Sequence, residues 1–145
     1  MGMLERGKTV RTAVIPTRSK NAMQPVIRQN VAAGSEIHSD EWASSYRMDD
    51  EYTHQVVNHL ENYVDGNVHT NGMENFWSLL KRGISGTYVS VEPFHLFRYV
   101  DEQAFRFNNR GPMTDRDRFR LVMRRIVGKR LTYRELTGKE GETPF

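Results

Sequence analysis

Thr70-Asn71-Gly72-Met73-Glu74-Asn75-Phe76-Trp77-Ser78-Leu79-Leu80-Lys81-Arg82-Gly83 is the stretch on which the reading of this chain turns. Met73, Phe76, Trp77 and Leu80 recur at i, i+3, i+4 and i+7, the spacing of one apolar helix face. Asn71 suits the N-cap, and Gly83, just past the basic pair Lys81-Arg82, suits the stop. Glu74 and Lys81 stand two turns apart and share a second face beside the apolar stripe. A carboxylate and an ammonium so placed can hold a metal ion and, next to it, a phosphate. The same residues also suit a purely structural role. Asn71-x-x-Glu74 is a capping-box variant, and Lys81 near the C-terminus answers the helix dipole. The stretch alone leaves both roles open.

Upstream, residues 1–7 read as a strand ending in a turn at Arg6-Gly7-Lys8, and residues 9–15 as a β-branched, alternating strand closed by Pro16. Together they predict a hairpin. Residues 19–33 place Ala22, Met23, Val26, Ile27 and Val31 at helical spacing, with Ser19 or Asn21 as cap, Pro25 in the first turn and Gly34 as stop. Residues 35–39 are a short strand with Asp40 at its C-terminal tip, where α/β folds often carry a functional group. Ser39 or Asp40 equally suits the cap of a helix over 41–46. Residues 53–59 read as a further strand and 60–70 as a loop, in which His69 stands close enough to the central helix to reach a bound phosphate.

Downstream, Thr87-Tyr88-Val89 is strand-like. Ser90 is the expected cap of a long helix with Glu92 and Pro93 in its first turn and a core stripe of Phe94, Phe97, Val100, Ala104 and Phe107. Thr114 caps a last helix to about Val127, with Phe119, Val122, Met123 and Ile126 expected to be buried. Arg116, Arg120 and Arg124 share one face of it, with Arg118 and Arg125 nearby. A solvated face is the ordinary role of such charges, but an unmixed row of arginines favours phosphate contact. The tail over 137–145 reads as disordered.

The 145 residues suffice for one ordinary domain. With no cysteine, disulfides, thiolate metal sites and cysteine catalysis are excluded, and a cytoplasmic setting fits. No apolar run approaches a membrane span, and no signal-peptide core is present. The net charge is +3 and the isoelectric point about 9.3, which points to an anionic partner. The five histidines lack the i, i+4 spacing of a helical zinc pair.

Asp40 after a strand, Glu74 on a helix and Lys81 two turns beyond form a set suited to divalent-cation phosphoryl transfer. The set resembles the DDE transposases of bacterial insertion sequences, specifically the ISXO-like group. The resemblance rests on Gly34-Ser35, Ser39-Asp40-Glu41, Val57-Asn58-His59, the block from His69 to Gly83, Gly86-Thr87-Tyr88, and the block from Leu96 to Arg110. It covers roughly residues 2–110. It implies an α/β, ribonuclease-H-like (integrase-like) sheet with helices, and DNA strand cleavage and strand transfer.

By position, Asp40 resembles the second catalytic aspartate and Glu74 the third acidic ligand, the two holding Mg²⁺ or Mn²⁺. Lys81 is similar to the basic residue that contacts the DNA end, with Arg82 beside it, and Asn71 to an Asn that caps or orients. The implied partners are DNA, both transposon ends and target, and a second copy of the chain. In the family the first catalytic Asp lies on the first strand of the sheet, upstream of the strand matching residues 3–6, and this chain starts inside that second strand. The expectation is therefore a C-terminal part of a transposase, lacking the first strand and inactive alone. Residues 1–110 would be a partial catalytic domain, 111–136 a basic helical extension and 137–145 a tail. A non-catalytic DNA-binding remnant and a small α/β domain without a nucleic-acid role are the alternatives.

Overall fold

The computed structural model describes residues 1–40, 51–57 and 71–137. The expected helix over 41–46, Asn58, His59, the loop over 60–70 with His69, and the tail beyond Thr137 lie outside the described residues.

The hairpin forms as its alternation predicts, with shorter arms. β1 (Gly2–Leu4) pairs antiparallel with β2 (Val10–Thr12), Leu4 opposite Val10. Gly7 supplies the positive φ of +71° that the turn needs. α1 (Lys20–Asn30) starts on Ser19, whose hydroxyl accepts from Ala22 N–H. That start puts Pro25 in the helix interior rather than in the first turn. Neither does Gly34 end the helix. Val31 turns extended and its N–H closes onto Ile27 O at 2.8 Å, while Gly34, at φ +80°, shapes the turn before the next strand.

β3 (Glu36–Asp40) runs parallel to β4 (Thr53–Val57), Ser39 opposite Val56 and Asp40 opposite Val57. A parallel pair needs a crossover of a dozen or so residues, which is the length of chain between Asp40 and Thr53. Buried Tyr52 anchors the approach to β4 by donating its hydroxyl to Val31 O at 3.0 Å. Arg28 Nε meets both carboxylate oxygens of Glu51 at 3.1 Å. Among the described residues the strands form two two-stranded sheets, so the chain is mixed α/β.

α2 (Asn71–Arg82) carries the expected stripe: Phe76 and Leu80 are buried, Met73 and Trp77 half-buried. Gly83 does not stop the coil. It widens into a π-helical turn (Gly83–Tyr88), which takes up the segment expected to be strand-like. The molecule divides into two compact units, Met1–Leu79 and Leu80–Phe145.

In the second unit Ser90 is not a cap. A 3-10 turn (Pro93–His95) precedes α3 (Leu96–Asn108), which buries Val100, Ala104 and Phe107. Tyr88 pins the π turn onto α3 by donating to Glu102 at 2.8 Å, and its ring meets Tyr99 edge-on. Glu102 also accepts from Arg106 Nε at 2.9 Å. Burial alone would raise the Glu102 carboxyl, but the bonds from Tyr88 and Arg106 outweigh it and hold the group below the usual range.

α4 (Asp115–Ile126) has a full capping box between Thr114 and Asp117. Its apolar residues Phe119, Val122, Met123 and Ile126, expected in the core, are all exposed. The period shows which residues share a face but not what covers that face. α5 (Tyr133–Thr137) occupies the end of the expected helical extension and reaches only the first residue of the expected tail; it is capped by the Thr132–Glu135 pair and tied to α3 by Arg98, which donates to Glu135 O at 2.8 Å.

Candidate metal and DNA site

Asp40 is the last residue of β3 rather than one past it. Its side chain lies outside the described residues, so the distance from its carboxylate to Glu74 does too. The backbone around it is fixed from the neighbouring strand. Ser39 Oγ and His54 Nε2 are 2.6 Å apart across the β3–β4 pair. On the other pleat His38 is held at both ring nitrogens, Nε2 2.9 Å from Glu36 Oε1 and Nδ1 3.0 Å from an Arg6 guanidinium nitrogen. Sequence reading gave neither His38 nor His54 a specific role, and these two lock β3 to β4 and to the β1–β2 turn. Because side chains i and i+2 share a strand face, the Glu36–His38 contact was foreshadowed by spacing. The Ser39–His54 contact depends on register and was not.

Glu74 is exposed in the early part of α2, while Phe76, about 200° further round the helix, is the most deeply buried side chain described, at 0 % exposure. Trp77 packs edge-on against Phe76 with ring centroids 5.0 Å apart. The hairpin holds this face at close quarters. A Cβ on Gly2 would come within 2.7 Å of Trp77 Cζ2, and one on Gly72 would strike the Leu4 side chain. The face of α2 that β1 covers at Met73 and Trp77 thus lies about 60–100° round the helix from Glu74. Asn71 is the first described residue of α2 and is helical, and the residues just before it lie outside the described ones. Its Oδ1 is buried without a hydrogen-bond partner among the described residues. Lys81 and Arg82 are exposed in the last turn of α2.

The two carboxylates are hard oxygen donors of the kind Mg²⁺ and Mn²⁺ take. Among the described residues no group of three His, Cys, Asp or Glu could hold a metal ion. Asp40 and Glu74 fit such an ion in kind.

On α4, Arg116, Arg120 and Arg124 are all exposed. Arg118 is not available beside them. It donates to Asn109 O at 3.1 Å and Met113 O at 2.8 Å and pairs with Asp115, so it holds the α3–α4 connection. Among the described residues no helix is long and apolar enough to cross a membrane.

Comparison with known proteins adds what geometry alone does not. Residues 1–108 match the family model of the ISXO2-like transposase domain. An uncharacterized transposase-like protein of Haemophilus influenzae is 30 % identical over 101 residues, covering 69 % of this chain and 81 % of that protein. No solved structure matches. The matched region ends at the close of α3 and contains every element that carries Asp40, Asn71, Glu74 and Lys81, so the chain belongs to the ISXO2-like transposase domain family.

Proposed function

We propose that this chain is part of a DNA transposase that cuts and joins DNA strands by metal-dependent phosphoryl transfer, on a ribonuclease-H-like arrangement of β1–β4 and α2. The observation that carries the reading is the placement of two acids in a family-matched region. Asp40 ends a strand paired in parallel, and Glu74 stands exposed on α2 beside the buried stripe. Asp40 and Glu74 would hold the Mg²⁺ or Mn²⁺, which when bound polarises the scissile phosphate and activates the attacking hydroxyl or water. Lys81 and Arg82 present cations to the DNA end from the far turns of α2. Arg116, Arg120 and Arg124 present three more to flanking phosphates. Asn71 orients the start of α2, and His69 belongs with it. Transposon ends and target DNA are the substrates, and the setting is cytoplasmic.

With two acids in hand, the 145 residues neither cut nor join DNA alone. A non-catalytic DNA-binding role is the second reading, favoured by the exposed arginine row on α4. Strand cleavage with Mg²⁺ or Mn²⁺ tests both, on the chain as it stands and on one extended through the reading frame upstream of Met1. The expected result is no cleavage by the short chain and cleavage by the extended one, lost on Asp40→Asn or Glu74→Gln. An extended chain that cleaves equally well with Glu74→Gln overturns the site. An extended chain that binds DNA and never cleaves it leaves the binding reading in its place.

A further inference from the structure

We propose that α4 is a self-association helix, which pairs antiparallel with α4 of a second copy of this chain through its apolar face. Phe119 is 65 % exposed, Val122 40 %, Met123 43 % and Ile126 48 %. They stand at i, i+3, i+4 and i+7, the spacing of a single stripe. Together they leave on the order of 350 Å² of apolar side chain in water, as much as the largest patch on a typical monomer. The exposed Val127, Leu131, Tyr133 and Leu136 follow directly. With them the total reaches on the order of 800 Å², the area one partner contributes to a standard interface. The helix lies outside residues 1–108, the part the family model matches, and its apolar face is not accounted for by the proposed chemistry.

Charge selects the occupant and its direction. The first turn of α4 interleaves Asp115 and Asp117 with Arg116 and Arg118, whereas the last turn is basic without offset, with Arg124 and Arg125. Lys129 and Arg130 continue the basic end past the turn at Gly128. Asp115 is four residues before Phe119 and shares its stripe, and its side chain is 92 % exposed although it pairs with Arg118. A parallel pair would set the two unrelieved basic ends against each other. An antiparallel pair about a two-fold axis sets Phe119 against Ile126 and Val122 against Met123, and brings Asp115 alongside the partner's basic end. That is the self-complementarity a two-fold interface requires. A lipid surface fits less well, because the stripe carries a carboxylate at one end and an interfacial helix keeps charge on its polar face. The row of Arg116, Arg120 and Arg124 is centred about 100° round the helix from the stripe, so pairing leaves it turned toward solvent.

The chain has no cysteine, which makes directed cross-linking clean. Sedimentation equilibrium of the full chain at about 10–100 µM should give the dimer mass, and Val122→Lys should raise the dissociation constant at least about tenfold. Because Val122 is exposed in the single chain, helicity by circular dichroism should be unchanged in that variant. Phe119→Cys and Ile126→Cys chains, oxidised together, should give a cross-linked dimer that neither gives alone. A monomer throughout that concentration range overturns the proposal, as does a dimer indifferent to Val122→Lys. Homodimeric cross-links at either position overturn the antiparallel arrangement. Binding of the monomer to anionic phosphatidylserine vesicles, abolished by Val122→Lys, would assign the face to membrane instead.

Discussion

Val89 is the most strained residue described. Its φ is +62° and ψ −51°, and Ser90 N–H reaches back to Tyr88 O at 2.6 Å. That is a γ-turn of the rare, positive-φ kind, imposed on a β-branched residue. Val89 is 80 % exposed, so little packing offsets the strain. Val89→Gly should therefore raise stability by about 1 kcal/mol, the relief of backbone strain exceeding glycine's entropic cost. Chemical denaturation would show the gain as a higher midpoint. Gly2 presents the opposite case. Gly2→Ala would drive a methyl into the Trp77 ring, and should cost about 1–3 kcal/mol as the hairpin is pushed off α2. The Met73 side chain can swing aside, but the indole is held edge-on by buried Phe76. A midpoint equal to the parent's would show that β1 does not pack against that ring.

The two C-terminal helices are held at their N-termini by matching devices. The Thr114 hydroxyl and backbone hydrogen bonds hold the Asp117 carboxyl below its usual range, and the Thr132 backbone and hydroxyl do the same for Glu135. A carboxyl whose folded pKa is depressed contributes stability above its unfolded value and loses it as pH falls through the folded one. Helicity of α4 and α5 should therefore be full at neutral pH and decline below about pH 4. Thr114→Ala should cost α4 about 1 kcal/mol at neutral pH and blunt its share of that acid loss, as read by circular dichroism.

These devices were legible in part. Thr114 announced α4, and Thr132-x-x-Glu135 carried the same signature for α5 but was passed over within the extension expected over 111–136. The period exposed the α2 and α3 stripes because one face was consistently apolar. It misjudged α4 because a stripe can wait for another molecule. Gly83 and the β-branched Thr87 and Val89 pointed away from a π turn, since local propensity cannot see the Tyr88–Glu102 bond that holds it.

At the scale of the molecule, two units share one continuous α2, and each has a small core: Val10, Tyr52 and Phe76 in the first, Leu80, Val100, Ala104 and Phe107 in the second. The acids read from the sequence lie on the first unit and the α4 arginines on the second. Asp40 was legible because Ile37 alternates with polar neighbours in a strand that ends on it. The contacts that hold β3 in place, Arg6 on His38 and His54 on Ser39, join residues 32 and 15 positions apart and have no local signature. Duplex DNA binding should weaken with salt. Replacing Arg116, Arg120 and Arg124 by Ala should lower the slope of log affinity against log salt by about 2–3, since each phosphate contact contributes roughly 0.9. An unchanged slope would make α4 a solvated cover.

The π turn carries a consequence for the length of the chain. Bonds that skip to i+5 close a wider coil that holds about one residue more per turn than an α-helix. Residues 83–88 thus accommodate a surplus residue between α2 and α3 without breaking the path, and Gly83 and Gly86 within it have no neighbour that a side chain would strike. Removing Gly86 would let the coil tighten to α and rotate everything after it by about 100°. Tyr88 and Glu102, both past the deletion, would turn together and keep their bond. A deletion at this point would therefore act as a change of phase rather than of length, felt in the direction in which the chain leaves α2.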